Sequence, residues 1–366
     1  MATTVIRARE PRELLAYVPH RLGFSPTDSL AAIAVRARPS RLGLVVRVDI
    51  ADLASEASGD DVAATVSRHL HADGARRVVL VLYTDEDRRE VRRGRGAAGQ
   101  ALSRVRAVLG DDVVADVWLV SSTGYAGVDC QDDACCPEMG RSLTDLESTQ
   151  VGAQMVLEGS VVAPSRDALA VRRRAPEPAR RAARRAAAAE RDRRPGQALR
   201  DGWGDQESIR SAWTRRGLAN WADLLRRAAA GRDLPAGALG RLLAGLEDVL
   251  LRDAVILEIV RAGGAAAERD SVTLVAVFGS GGPTPDRSAV ASARAVLEAV
   301  VAHAAVSRGG PPLAVLAWLA WWTGDGARAR VLVEQCLGVD PGYSLAGLMG
   351  EILDAGLPPG WARGVG

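Results

Sequence analysis

Lysine is missing from this sequence: all 47 basic residues among the 366 are arginine. Asparagine occurs once, at Asn220. Such a bias is what a GC-rich coding sequence produces, so the number of arginines does not by itself point to guanidinium chemistry. Charge of one sign is also lacking. Forty-five acids nearly balance the arginines and leave a formal charge of +2, so no overall field argues for a polyanionic partner. Cysteines number four, Cys130, Cys135, Cys136 and Cys336, too few for a disulfide scaffold at this length. Long hydrophobic runs are missing too. The longest, Pro311 to Trp322, falls short of the roughly 20 residues a membrane-spanning helix needs. The first ten residues carry Arg7, Arg9 and Glu10 and lack the apolar core of a secretory signal. The expectation is a cytoplasmic protein without a membrane partner.

What is present has the composition of a globular protein, 48% hydrophobic and 25% charged, with length for two domains. Ser29–Arg36 and Leu42–Ile50 are β-rich, and residues 37–41 between them suit a hairpin turn. Asp60–Ala72 has helical spacing through Val62, Val66 and Leu70. Val78–Thr84 is a continuous apolar run, as in a buried strand. Gly99–Leu109 reads as helix and Val113–Ser121 as strand. This order predicts an α/β domain over 1–165 with a mixed sheet, a leading hairpin followed by βαβ units.

Leu146–Leu157 reads as a further helix. Residues 166–200 hold twelve arginines against four acids and read as an Arg/Ala-rich linker followed by a helix over Ala179–Arg193. Arg180, Arg181, Arg184 and Arg185 would share one helical face, and Ala182, Ala183, Ala186 and Ala187 the other. From 201 to 366 the periods are helical, and an all-α half is expected. Ser271–Phe278 is ambiguous and is read as a short helix. Near the end, Ala317, Ala329 and Cys336 are small residues on two adjacent helices. They are spaced as in one tetratricopeptide-like pair, or in an ordinary helical hairpin.

The segment Glu13 to Leu30, with Tyr17-Val18-Pro19-His20-Arg21-Leu22-Gly23-Phe24 continuing as Ser25-Pro26-Thr27-Asp28-Ser29-Leu30, resembles the opening signature of a bacterial family. That family is domain of unknown function 4192, found mainly in actinobacteria. Arg41-Leu42-Gly43-Leu44, Asp133-Ala134-Cys135-Cys136-Pro137, Val162-Ala163-Pro164-Ser165 and Gly324-Asp325-Gly326-Ala327 carry the similarity along nearly the whole chain. The resemblance implies a cytoplasmic actinobacterial protein and brings no activity or cofactor with it.

Four features are candidates for chemistry. Gly94-Arg95-Gly96-Ala97-Ala98-Gly99 matches the dinucleotide pattern, but the charged stretch 85–93 separates it from the preceding strand, so a plain glycine-rich loop is the expectation. His20 to Ser29 is dense in functional groups. His20 offers an acid or base, Arg21 an anion contact and Asp28 an orienting carboxylate, with Phe24, Thr27 and Ser29 beside them. The segment reads as a shaped loop; its plainer reading is two proline turns with Phe24 in the core. Tyr83 and Asp85, with Asp49 and Ser121, fall where open α/β sheets bind ligands, at the C-terminal strand ends. Finally Cys130, Cys135 and Cys136 are redox candidates. A metal is not expected, because zinc wants four ligands and adjacent cysteines rarely share one ion.

No nucleophile elbow, Walker motif or zinc-protease motif occurs, so whether the chain is an enzyme stays open. The reading is a binding or regulatory module whose helical half serves as a scaffold for protein partners. The alternatives are a hydrolase or transferase at the sheet edge, and nucleic-acid binding through the Arg-rich segment. No sequence-specific nucleic-acid contact is expected from that segment, which lacks interleaved aromatics.

Overall fold

The computed structural model describes residues 10–37, 41–194, 206–262 and 277–362. They divide into two compact units, 1–168 and 169–366.

The first unit opens with helix α1, Pro11–Leu22, which buries Leu15, Ala16, Val18 and Leu22 on one face and ends at Gly23 in the left-handed conformation. Five strands follow: β1 Ser29–Arg36, β2 Arg41–Asp49, β3 Ala75–Tyr83, β4 Val114–Val120 and β5 Tyr125–Gly127. Their order across the sheet is β2-β1-β3-β4-β5. β1 and β2 form the expected antiparallel hairpin, β3 and β4 are parallel, and β5 runs antiparallel to β4.

The first crossover is split. β2 and β3 are each antiparallel to β1, which lies between them. Burial explains the arrangement. The first six residues of β1 are buried on both faces, as a central strand requires, whereas β2 is only half-buried and takes the edge.

Helices α2 Ile50–Ala54, α3 Gly59–Ala72 and α5 Gly96–Leu109 close one face of the sheet. Ile50, Leu53, Ala63, Val66, Leu70, Leu102 and Val105 pack there on Leu30, Ala32, Leu80, Leu82 and Leu119. Residues alternating with these strand positions, Ala31, Ile33, Val79 and Val81, are buried as well. Short helices α4 Arg88–Arg92 and α6 Thr144–Glu147, then α7 Gln150–Leu157, complete the unit.

The second unit is helical: α8 Glu177–Asp192, α9 Gln206–Ala229, α10 Ala236–Leu246, α11 Val249–Ala262, α12 Arg287–His303, α13 Gly310–Trp322, α14 Gly326–Val339 and α15 Ser344–Asp354. The apolar run too short to span a bilayer is α13. It is buried on every side from Pro312 to Trp322, as a helix apolar all round must be. α13 packs along α14, and Ala317, Ala329 and Cys336 are fully buried in this helical hairpin. No helix among the described residues is long and apolar enough to cross a membrane.

The Arg/Ala-rich helix is packed within the second unit. Ala183 and Ala187 are buried and α8 lies along α10. The helices approach so closely that a Cβ on Gly240 would strike the Ala183 carbonyl. The opposite face is ion-paired, with Arg180 and Arg184 on Glu177. Arg191 meets Glu247 at 2.7 Å. Most of Ser271–Phe278 lies outside the described residues.

Candidate functional site

At the expected sheet edge, register puts the candidate residues in line: Ser29 pairs with both Asp49 and Tyr83, and Tyr83 with Val120. Their side chains make separate arrangements. The Ser122 amide donates to Asp85 at 2.7 Å and holds that carboxyl below its usual range. Tyr83 is buried, its phenol pushed up by desolvation, and its hydroxyl has no hydrogen-bond partner among the described residues.

The opening segment is divided between a helix end and a loop. His20 and Arg21 belong to the last turn of α1, a departure from the shaped loop read from the sequence. Pro19 stands inside the helix and costs it one backbone hydrogen bond, while the apolar stripe from Leu15 to Leu22 holds the last turn in place. His20 Nδ1 lies 3.0 Å from Ser160 Oγ, and burial lowers its pKa. Arg21 sits over the Tyr17 ring.

Phe24, Thr27 and Ser29 meet elsewhere, around an arginine that the sequence did not single out. Arg47 donates to Ser29 Oγ at 2.8 Å and to both Asp49 oxygens, and lies over the Phe24 ring. Ser29 Oγ donates in turn to the Thr27 carbonyl. Asp28 is exposed, in the left-handed region at φ 43°. No described contact joins His20, Arg21 and Asp28.

The dinucleotide-like glycines open α5, but its N-terminus is filled from within. Glu86 Oε1 accepts the Ala98 amide at 3.0 Å, and a Cβ on Gly96 would strike the same carboxylate.

The thiols are the group the fold does bring together. After β5 the chain leaves the sheet at Val128 and returns at Arg141. Tyr125 and Arg141 exchange backbone hydrogen bonds of 3.0 and 2.8 Å, closing the neck of the loop between them. Inside the loop the Asp132 carbonyl accepts both the Cys135 and Cys136 amides, at 3.1 and 2.7 Å. The Asp132 side chain takes the Ala134 amide, the self-bonded turn that aspartate favours. The result gathers the sulphurs of Cys130, Cys135 and Cys136 within 4.8 Å of one another. All three are free thiols, Cys136 buried and the other two half-exposed.

Two arginines hold this loop. Arg88, on α4, donates to the carbonyls of Gly127, Cys130 and Cys136 at 3.2–3.3 Å. Arg141 donates through Nε to the Cys135 carbonyl at 2.6 Å and through Nη2 to Cys135 Sγ at 3.1 Å. The Gly127 amide points at Cys136 Sγ, 3.4 Å away. Gly127 is small for a reason, since a Cβ there would press on Cys130 Cβ at 3.3 Å. Backbone hydrogen bonding at Asp132, with hydrogen bonds from the neighbouring thiols, holds the Cys130 thiol below its ordinary value, whereas burial pushes Cys136 up. The cysteine spacing is legible from the chain alone; Arg88 and Arg141 are not, because they lie among dozens of chemically identical residues.

The profile of domain of unknown function 4192 matches residues 11–360. The chain belongs to that family. The match spans both units, so the α/β unit and the helical unit are parts of one family architecture. No curated protein and no solved structure matches the chain.

Proposed function

We propose that this member of the family is a binding and regulatory protein whose functional centre is the three-thiol loop of the α/β unit, with the helical unit as a scaffold for protein partners. One observation carries the reading: three sulphurs from a single closed loop lie within 4.8 Å of one another, with a guanidinium on one of them. Thiols that served only packing would be buried singly, as Cys336 is against the Gly310 carbonyl. Here two of the three remain half-exposed, and N–H donors face the sulphurs of Cys135 and Cys136. The sheet edge, the alternative location, presents no comparable convergence among the described residues.

A trivalent arsenical such as phenylarsine oxide bonds two thiols at once and so reports thiols held close together. The native chain is expected to retain one equivalent per molecule through desalting. The variant with Cys130, Cys135 and Cys136 all changed to serine should retain none while keeping its circular dichroism spectrum. Retention of no arsenical by the folded native chain, or of the same amount by the variant, overturns the reading.

A further inference from the structure

We infer that the three-thiol loop is a binding site for a soft monovalent cation of the copper(I) class, held by the sulphurs of Cys130, Cys135 and Cys136. This deepens the function proposed above and rests on it.

The ligand count comes first. Among the described residues the sulphurs form a set of three, and no carboxylate or imidazole atom shares their 4.8 Å cluster. Zinc in a structural site takes four ligands in a tetrahedron, one of the two sequence arguments against a metal. The other, that adjacent cysteines rarely share one ion, is met here by the turn at Asp132, which leaves the sulphurs of Cys135 and Cys136 on the same side, 4.0 Å apart. Copper(I) is satisfied by fewer and softer ligands, and thiolates select it. Three sulphurs are an incomplete set for the first ion and a complete trigonal one for the second.

Distance agrees with the count. Metal–sulphur bonds of about 2.3 Å in a trigonal plane place the sulphurs about 4.0 Å apart. Cys135 Sγ and Cys136 Sγ are 4.0 Å apart, and the remaining separations need to close by less than about 1 Å to match. A disulfide would need only two sulphurs at about 2.05 Å and would leave the third without a role.

Charge agrees as well. Binding replaces three S–H bonds by three metal–sulphur bonds and releases the protons to solvent. Three thiolates and one monovalent cation carry a charge of −2. Arg141, donating to Cys135 Sγ, and Arg88, donating to the carbonyls around the other two thiols, supply +2. Outer donors of this kind orient the ligands of a metal site. The Gly127 amide does the same for Cys136, and the closed neck at Tyr125 and Arg141 holds the loop in shape beforehand. Half-exposed Cys130 and Cys135 give the ion a way in.

The test is an anaerobic titration of the full-length protein with copper(I), against the chromophoric chelator bicinchoninate. The expected result is one copper(I) per chain withheld from the chelator, with three sulphur neighbours by X-ray absorption. Cys130→Ser and Cys135→Ser, at half-exposed positions, should each weaken retention at least tenfold with the fold intact by circular dichroism. If the arsenical is retained but copper(I) is not, the cation assignment falls and the thiol centre stands. If neither is retained, both fall. Copper(I) held equally well by the Cys130→Ser variant, or zinc(II) held with four ligands and at least as tightly, also overturns the inference.

Discussion

The carboxylate of Glu13 on α1 accepts the backbone amide of Val151 at 2.8 Å, across 138 positions of sequence. A second bond, 3.3 Å from Gln150, completes the cap on α7. Glu13 is buried, so its charge is balanced by the positive end of the helix and by two amide donors. Removing it leaves the buried Val151 amide without a partner. Glu13→Ala should destabilise the first unit by about 2 kcal/mol, read from urea denaturation. An effect within the error of the midpoint would show that the cap is dispensable.

His20 gives stability a pH dependence of defined sign. Burial lowers its folded pKa below the ordinary 6.5, so the unfolded chain takes up a proton first. The stabilising effect of a neutral His20 is therefore full above pH 6.5 and lost as pH falls through the lower, folded value. His20→Gln should flatten the stability profile below pH 6.5 and leave it unchanged above pH 7.5. A profile identical to that of the native chain at acid pH would rule out His20 as the source.

Tyr83 makes the opposite kind of prediction. Its buried hydroxyl lacks a partner among the described residues, and an unmade bond of this kind costs about 1–3 kcal/mol. Tyr83→Phe removes the polar atom and keeps the ring. The variant should be as stable as the native chain or about 1 kcal/mol more stable. Destabilisation beyond about 1 kcal/mol would mean the hydroxyl is held after all.

The contact between α8 and α10 depends on a missing side chain. A methyl group at Gly240 would meet the Ala183 backbone, which has no flexible end to turn aside. Gly240→Ala should cost about 1–3 kcal/mol through overpacking, although alanine favours helix. A rise in thermal stability on this substitution would show that the helices separate at little cost.

Accessibility predicts the order of thiol modification. Cys130 and Cys135 are half-exposed, while Cys136 and Cys336 are buried. Under native conditions iodoacetamide should label the first two before Cys136, and Cys336 only on unfolding. Peptide mass spectrometry after timed quenching gives the order directly. Early labelling of Cys336 would contradict the packing of α13 against α14.

The legible parts of this fold were those set by neighbours in sequence. The hairpin of β1 and β2, the apolar run of β3 and the amphipathic stripe of α3 are all local patterns, and each forms where its pattern stands. The insertion of β1 between β2 and β3 is a long-range pairing, marked in the sequence only by the unbroken apolar run from Leu30 to Ala34. The last turn of α1 was hidden by Pro19, whose tolerance depends on the packing around Val18 and Leu22. For the candidate site, spacing suggested that Cys130, Cys135 and Cys136 belong together. It could not place Arg88, 42 positions before Cys130, or show that Phe24 and Ser29 meet on Arg47. Where every basic residue is arginine, composition offers no contrast from which to choose these.

Glu86 at the mouth of α5 changes what the glycine pattern means. The carboxylate is tethered 12 residues from the amide it serves, and a short tether corresponds to an effective concentration in the millimolar range or above. A free phosphate or pyrophosphate must compete with that resident anion before it can touch the helix. The glycines of residues 94–99 thus make room at the helix entry for the protein's own carboxylate, and the motif is read as an internal cap on α5.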